Sequence, residues 1–257
     1  MVSLLLPIIY TAFISLGLPD SLLGSAWPTM YPELGVPVSC AGILSMIISL
    51  GTILSSLQSD RLTRTLGTGR VTAISVGMTA AALFGFSIST QFWMLCLWAI
   101  PYGLGAGSVD AALNNYVALH YRSRHMSWLH CMWGIGTMVS PMVMGAALTH
   151  GMHWTVGYRA IALFQVLLTV ALVVSLPLWK ERRTESGTEE TAPQALSLRQ
   201  VFALPGAREV MLCFFCYCAL ETTAGLWASS YLTLSRGVAA KTAASFASLF
   251  YFGITAG

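Results

Sequence analysis

Charge is what this sequence has least of. Asp, Glu, Lys and Arg make up 9% of its 257 residues, against roughly 25% in soluble domains, so there is too little polar surface to cover a globule in water. Mean hydropathy of +0.71 agrees, and the composition predicts an all-α membrane protein that crosses the lipid bilayer several times. The net charge of +3 is scattered over loops rather than gathered with aromatics, which excludes nucleic-acid binding. Six cysteines form no spacing set in a loop, which excludes a disulfide framework. Cys213, Cys216 and Cys218 lie in an apolar run and read as small buried side chains rather than a redox or metal site. Neither a metal nor a cofactor is expected. No Lys or Arg precedes the first apolar stretch, and more spans follow at once, so that stretch reads as a retained helix and not a cleaved signal.

Long apolar runs are what the sequence does have. At about 20 residues per crossing, spans are predicted near 3–26, 39–58, 71–90, 92–119, 126–148, 159–179 and 209–231, with an eighth opening near 241 and unfinished at Gly257. The segment 180–208 is the one long polar stretch, with Glu181, Glu185, Glu189 and Glu190 among Ser, Thr, Gly and Pro; it reads as a cytoplasmic linker. A short interfacial helix around 196–204, before Pro205, fits the apolar residues there. Residues 1–179 are then a six-helix bundle, and 209–257 the start of a second one.

Basic residues orient the chain. With the N-terminus inside, Arg61, Arg64, Arg70, Arg122, Arg124, Lys180, Arg182, Arg183, Arg199 and Arg208 are cytoplasmic, while Arg159, Arg236 and Lys241 are outside. Ten against three is the positive-inside bias of a multi-pass protein of the cell membrane. A faint repeat supports two bundles: Gly35, Val36, Ala41 and Gly51 recur at an offset of 202 as Gly237, Val238, Ala243 and Gly253, and Asp20 with Trp27 is echoed by Glu221 with Trp227.

The few polar residues inside the spans carry the functional signal. Gly103, Gly107, Asp110 and Asn114 fall at i, i+4, i+7 and i+11, so they share one helical stripe. A charge at mid-membrane costs at least about 2.5 to 3.5 kcal/mol, and that stripe must face protein or a wet cavity. Small residues flanking it let a neighbouring helix approach closely. Asp20 on the first span has Gly17, Gly24 and Trp27 on its face, His130 on the fifth heads a stripe with Gly134, Thr137 and Pro141, and Glu221 on the seventh has Cys218, Gly225 and Ser229. Carboxylates and an imidazole directed inward suit a polar pathway better than a dry core. A carboxylate withdrawn from water holds its proton more tightly, so it can exchange one as a cavity opens to either side. Asn114 and His130 offer hydrogen bonds of the kind a polyol needs, and Trp27 and Trp133 offer faces on which a sugar ring could stack.

The stretch Asp60-Arg61-Leu62-Thr63-Arg64-Thr65-Leu66-Gly67-Thr68-Gly69-Arg70 resembles the signature cytoplasmic loop of the major facilitator superfamily, a tight turn carrying an Asp-Arg pair, Gly and basic residues; Ser56 stands where the family usually has Gly. Asp60, Arg61, Gly67 and Arg70 are on that ground expected to form the gating loop. Asp110 and Asn114, then His125 to His130, Gly136 and Pro141, resemble the fucose:proton symporter branch and its sodium-dependent glucose transporter-like relatives. The resemblance implies proton-coupling or sugar-binding roles for Asp20, Asp110, Asn114 and His130, with Glu221 as a polar group of the second half. Two polar positions of that branch are Gly17 and Trp133 here, which argues against fucose itself. The expected function is secondary active transport, symport of a sugar or similar small polar solute with protons or sodium, by rocking of two bundles around a shared site.

Alternatives stay open. Gly136 to Gly145 with Ser140-Pro141 partly resembles the fifth-helix motif of drug:proton antiporters, which implies efflux. A truncated half that does not transport, or that pairs with a missing C-terminal half or a second copy, is a further reading. An enzyme is not expected: the spacing Gly105-x-Gly107-Ser108-Val109-Asp110 does not fit the Gly-x-Gly-Asp of intramembrane aspartyl proteases.

Overall fold

The computed structural model describes residues 4–179 and 198–256. Ten helices are named here in chain order: α1 Leu5–Asp20, α2 Leu22–Glu33, α3 Cys40–Leu66, α4 Thr68–Ile88, α5 Phe92–His120, α6 Ser123–Thr149, α7 Trp154–Val174, α8 Leu198–Phe202, α9 Ala207–Arg236 and α10 Ala240–Ala256. With α1 and α2 taken as one interrupted span, seven of these elements are long and apolar enough to cross a membrane. The outward faces of α3, α7 and α9 display Met46, Leu50, Leu57, Leu163, Leu167, Val170, Phe214 and Phe215. In water so large an apolar surface would aggregate, whereas lipid covers it without cost.

Predicted boundaries shift for identifiable reasons. The first span extends past residue 26 to Glu33 and is interrupted at Ser21, because prolines at 19, 28 and 32 break the backbone pattern without ending the run. The expected tight loop 60–70 is corrected: Asp60 and Arg61 lie in α3, which continues to Leu66. Hydroxyls of Thr63 and Thr65 fold back onto carbonyls of their own helix, and Arg64 pairs with Asp60 at 3.1 Å. Such a helix runs on into water beyond the end of its apolar stretch. Only Gly67 separates α3 from α4, at φ 85°, a conformation Cβ-bearing residues seldom adopt. The sixth crossing is Trp154–Val174 rather than 159–179, started by the His153 ring accepting from the Thr155 N–H. A short helix, α8, occupies part of the expected 196–204 segment; residues 180–197 of the expected linker lie outside the described ones.

α1 packs along α6 and α7, α5 lies between α3 and α4, and α4 also packs on α7. α9 lies against α2, and α10 against α6. The offset repeat has a physical counterpart: Gly35 and Gly237 both have left-handed φ, 63° and 66°, just after α2 and α9, and Ala41 and Ala243 are both fully buried. Two apolar clusters fill the bundle, one around Ile9, Phe13, Leu113 and Trp179, the other around Leu22, Trp27, Phe86 and Tyr158. α5 touches α1 and α6 over only a few residues.

Candidate functional site

Asp20 ends α1 and meets side chains of α5 and α6. Every other residue from Ser15 to Pro28 is buried, while Asp20 is exposed. A carboxylate within a membrane span needs hydrogen-bond donors or water to offset the loss of its hydration. Its two oxygens are held separately: the Tyr102 hydroxyl on α5 donates to Oδ1 at 3.1 Å, and the Trp133 indole N–H on α6 donates to Oδ2 at 2.9 Å. The carboxylate on α1 therefore links α5 to α6, which otherwise touch over only a few residues.

Backbone geometry sets those positions. A Cβ on Gly17 would lie 2.2 Å from the Trp133 carbonyl oxygen, and one on Gly136 would lie 2.1 Å from that of Ile14. Glycines on both sides thus let α1 and α6 touch backbone to backbone one turn from Asp20. α5 is set against α3 in the same way, since a Cβ on Gly103 or Gly107 would lie 2.2 Å from the carbonyl oxygen of Ile48 or Thr52. Ser56, at the position where a Gly was expected by resemblance, donates its hydroxyl to the Gly107 carbonyl at 3.0 Å.

Asp110 is half-buried, and Asn114 one turn on donates to its Oδ1 at 2.9 Å. His130 is exposed and meets Phe13 edge-on at 6.1 Å between ring centres. Glu221 is half-exposed on α9. The Tyr251 hydroxyl on α10 lies so close to Gly225 on α9 that a Cβ there would be 2.0 Å from it.

Two expectations change. Trp27 is 0% exposed and donates its indole N–H to the Val38 carbonyl at 2.7 Å, so it packs the core and has no face for a solute. Cys213 and Cys216 are exposed on α9 rather than buried. Trp133, expected as a stacking face, binds Asp20 through its ring nitrogen. Among the described residues no group of three His, Cys, Asp or Glu could hold a metal ion. Tyr102 could not be singled out from the sequence, because a tyrosine inside an apolar run looks the same whether its hydroxyl meets a carboxylate or nothing. A groove of about 670 Å³ between α4 and α7, lined by Gly77, Phe84, Leu163 and Val166, holds none of the polar cluster.

Of the expected gating residues, Gly67 makes the turn and Arg70 begins α4 as an exposed side chain. Asp60 and Arg61 are exposed, and the Asp60 to Arg64 pair is a surface ion pair worth at most about 1 kcal/mol. Gly69 abuts the Trp179 ring, 2.6 Å from where its Cβ would be, which fixes the turn onto the end of the α7 region.

The chain is similar in sequence to several known proteins. It is 23% identical over 229 residues to the quinolone resistance protein NorA of Staphylococcus aureus, covering 86% of this chain and 56% of that one. It is 26% identical over 123 residues to the uncharacterized transporter y4wD of Sinorhizobium fredii, covering 47% and 31%. In three dimensions it resembles the crystal structure of a mutant peptide transporter POT in complex with sulfate, with a TM-score of 0.56 and 18% identity over 94% of this chain and 48% of that one. The chain therefore spans about half the length of these relatives. The model of the Major Facilitator Superfamily matches residues 9–257, nearly the whole sequence, and the chain belongs to that superfamily.

Proposed function

We propose that the chain is the first part of a secondary active transporter, one that couples protons to the movement of a small polar solute such as a sugar. The carrying observation is Asp20, exposed within a buried run and clasped by Tyr102 and Trp133. Protonation of that carboxyl removes its negative charge, weakening both charge-assisted bonds and loosening α1 from α5 and α6. A solute hydroxyl can compete for the same donors. Asp110, Asn114 and His130 extend the polar wall, and Glu221 with Tyr251 supplies the facing side. Residues 1–179 would act as one bundle, 180–208 as the cytoplasmic linker and 209–257 as the opening of the other, with the N-terminus in the cytoplasm and the protein in the cell membrane.

Similarity to a protein named for quinolone resistance supports a second reading, outward movement of an aromatic compound, for which Trp133, Tyr102 and Tyr251 supply ring faces. Vesicles containing the protein at the length of its relatives, with an imposed pH gradient, separate the two. Uptake of labelled fucose or glucose that collapses with the gradient supports the first; gradient-driven extrusion of ethidium supports the second. Uptake of a sugar that is unaffected when the gradient is abolished would remove the coupling.

A further inference from the structure

Four prolines lie well inside the spans at 19, 28, 101 and 141. Each lacks an N–H, so each leaves unpaired the carbonyl four residues before it. Pro19 frees the carbonyl of Ser15, and Pro141 frees that of Thr137. Both are buried, where an unsatisfied carbonyl is costly. Both are instead met by a side chain from another helix. Gln165 on α7, 1% exposed, donates its Nε2 to the Ser15 carbonyl at 2.7 Å, while its Oε1 accepts from the Thr79 hydroxyl at 2.5 Å. Ser21, between α1 and α2, donates its hydroxyl to the Thr137 carbonyl at 2.7 Å.

Asp20 sits between these two repairs. Pro19 precedes it, Ser21 follows it, and its partner Trp133 lies one turn before Thr137 on α6. The two clamps therefore bracket the backbone that aims the carboxylate, one from α7 and one toward α6. Together they tie the interruption at Ser21, between α1 and α2, to α7 on one side and α6 on the other. We infer that Gln165 and Ser21 are positioning residues for Asp20, holding a proline-made break so that its carboxylate lies between Tyr102 and Trp133. This inference rests on the proposal that Asp20 faces a cavity.

The prolines make the role separable from stability. In Gln165→Met the Ser15 carbonyl loses its donor. Adding Pro19→Ala returns a backbone N–H to that carbonyl but also restores a continuous helix. A purely structural clamp predicts that the pair behaves as wild type; a positioning role predicts recovered stability with Asp20 still misplaced. Ser21→Thr keeps the hydroxyl that Ser21→Ala removes.

The readout is modification of Asp20 by dicyclohexylcarbodiimide, which reacts with accessible membrane carboxyls, followed by mass spectrometry of the purified chain in lipid nanodiscs. Thermal unfolding is measured in parallel. Freed of one charge-assisted bond, Asp20 is expected to react roughly tenfold faster in Gln165→Met and Ser21→Ala, at the wild-type rate in Ser21→Thr, and still faster than wild type in Pro19→Ala/Gln165→Met despite restored unfolding temperature. Trp133→Phe, which removes one donor directly, calibrates the assay. If Trp133→Phe accelerates labelling while Gln165→Met and Ser21→Ala do not, the positioning role is overturned and the cavity stands. If Asp20 is unreactive in every variant, the cavity reading falls and the inference falls with it.

Discussion

At the scale of single residues, Asp20 and Asp110 have different surroundings and call for different outcomes. Asp20 joins three helices through two donors, whereas Asp110 is bonded within its own helix to Asn114. Replacing Asp20 by Asn puts an amide N–H₂ where one of two donors needs an acceptor, so both coupling and the α1 to α6 contact are affected. Asp20→Asn is expected to abolish gradient-driven accumulation and to lower the unfolding temperature. Asp110→Asn is expected to abolish accumulation with little change in unfolding and with residual exchange, since exchange need not release a proton. Counterflow of labelled solute alongside thermal unfolding checks both; full accumulation in Asp110→Asn would show that carboxylate to be structural. Both aspartates were legible because a charge in an apolar run must have a reason. Trp27 was misread because an indole at a helix end looks the same over a solute as over the Val38 carbonyl. Gln165 was passed over, although Pro19 announces an orphaned carbonyl and hence a donor somewhere; which helix supplies it depends on packing that one sequence does not display.

Among the helices, close approach decides where the polar level sits. Gly17 and Gly136 let α1 and α6 meet at backbone distance, and Gly103 and Gly107 do the same for α5 and α3. At Gly17 or Gly136 the intruding methyl meets a carbonyl oxygen of the opposite backbone, which cannot rotate aside. Gly17→Ala and Gly136→Ala should each destabilise by about 1–3 kcal/mol, read as an earlier thermal transition. Gly253→Ala, with nothing within 4 Å of the added atom, should leave the transition in place and serve as control. An unchanged transition in Gly17→Ala would mean the helices are further apart than described. The number and order of crossings followed directly from apolar runs of sufficient length. Their ends did not, because hydropathy reports where lipid stops, while α3 continues to Leu66 on hydroxyl-to-carbonyl bonds and an ion pair that need no lipid.

For the molecule as a whole, the contacts at each end of the bundle bear on its orientation. At one end Tyr10 bonds His125 at 2.8 Å, and Tyr116 packs on Trp179, its ring 5.1 Å away. This end brings the start of α1 together with the α5 to α6 turn and the end of the α7 region. It carries Arg61, Arg64, Arg70, Arg122 and Arg124. At the opposite end Glu33 accepts from the Trp154 indole at 2.7 Å and lies 2.8 Å from the His153 ring, and Arg159 is the basic residue there, beside the Ser87 carbonyl. Five arginines against one within the same set of helices give the insertion machinery a strong bias, and juxtamembrane Lys and Arg set orientation where acidic residues count little. Two exposed positions report it: Arg122 before α6 and His150 after it. In a background without the six native cysteines, His150→Cys in intact cells should react with a membrane-impermeant maleimide, and Arg122→Cys should react only after permeabilisation. Helix α6 joins the two positions, so one crossing forces opposite answers whatever the orientation, and identical labelling would mean that α6 does not span. The reverse pattern would put the arginine-rich end outside. The proposed role of Asp20 does not depend on that outcome, because its bonds to Tyr102 and Trp133 are the same in either orientation. The direction of transport relative to the gradient would have to be reassigned.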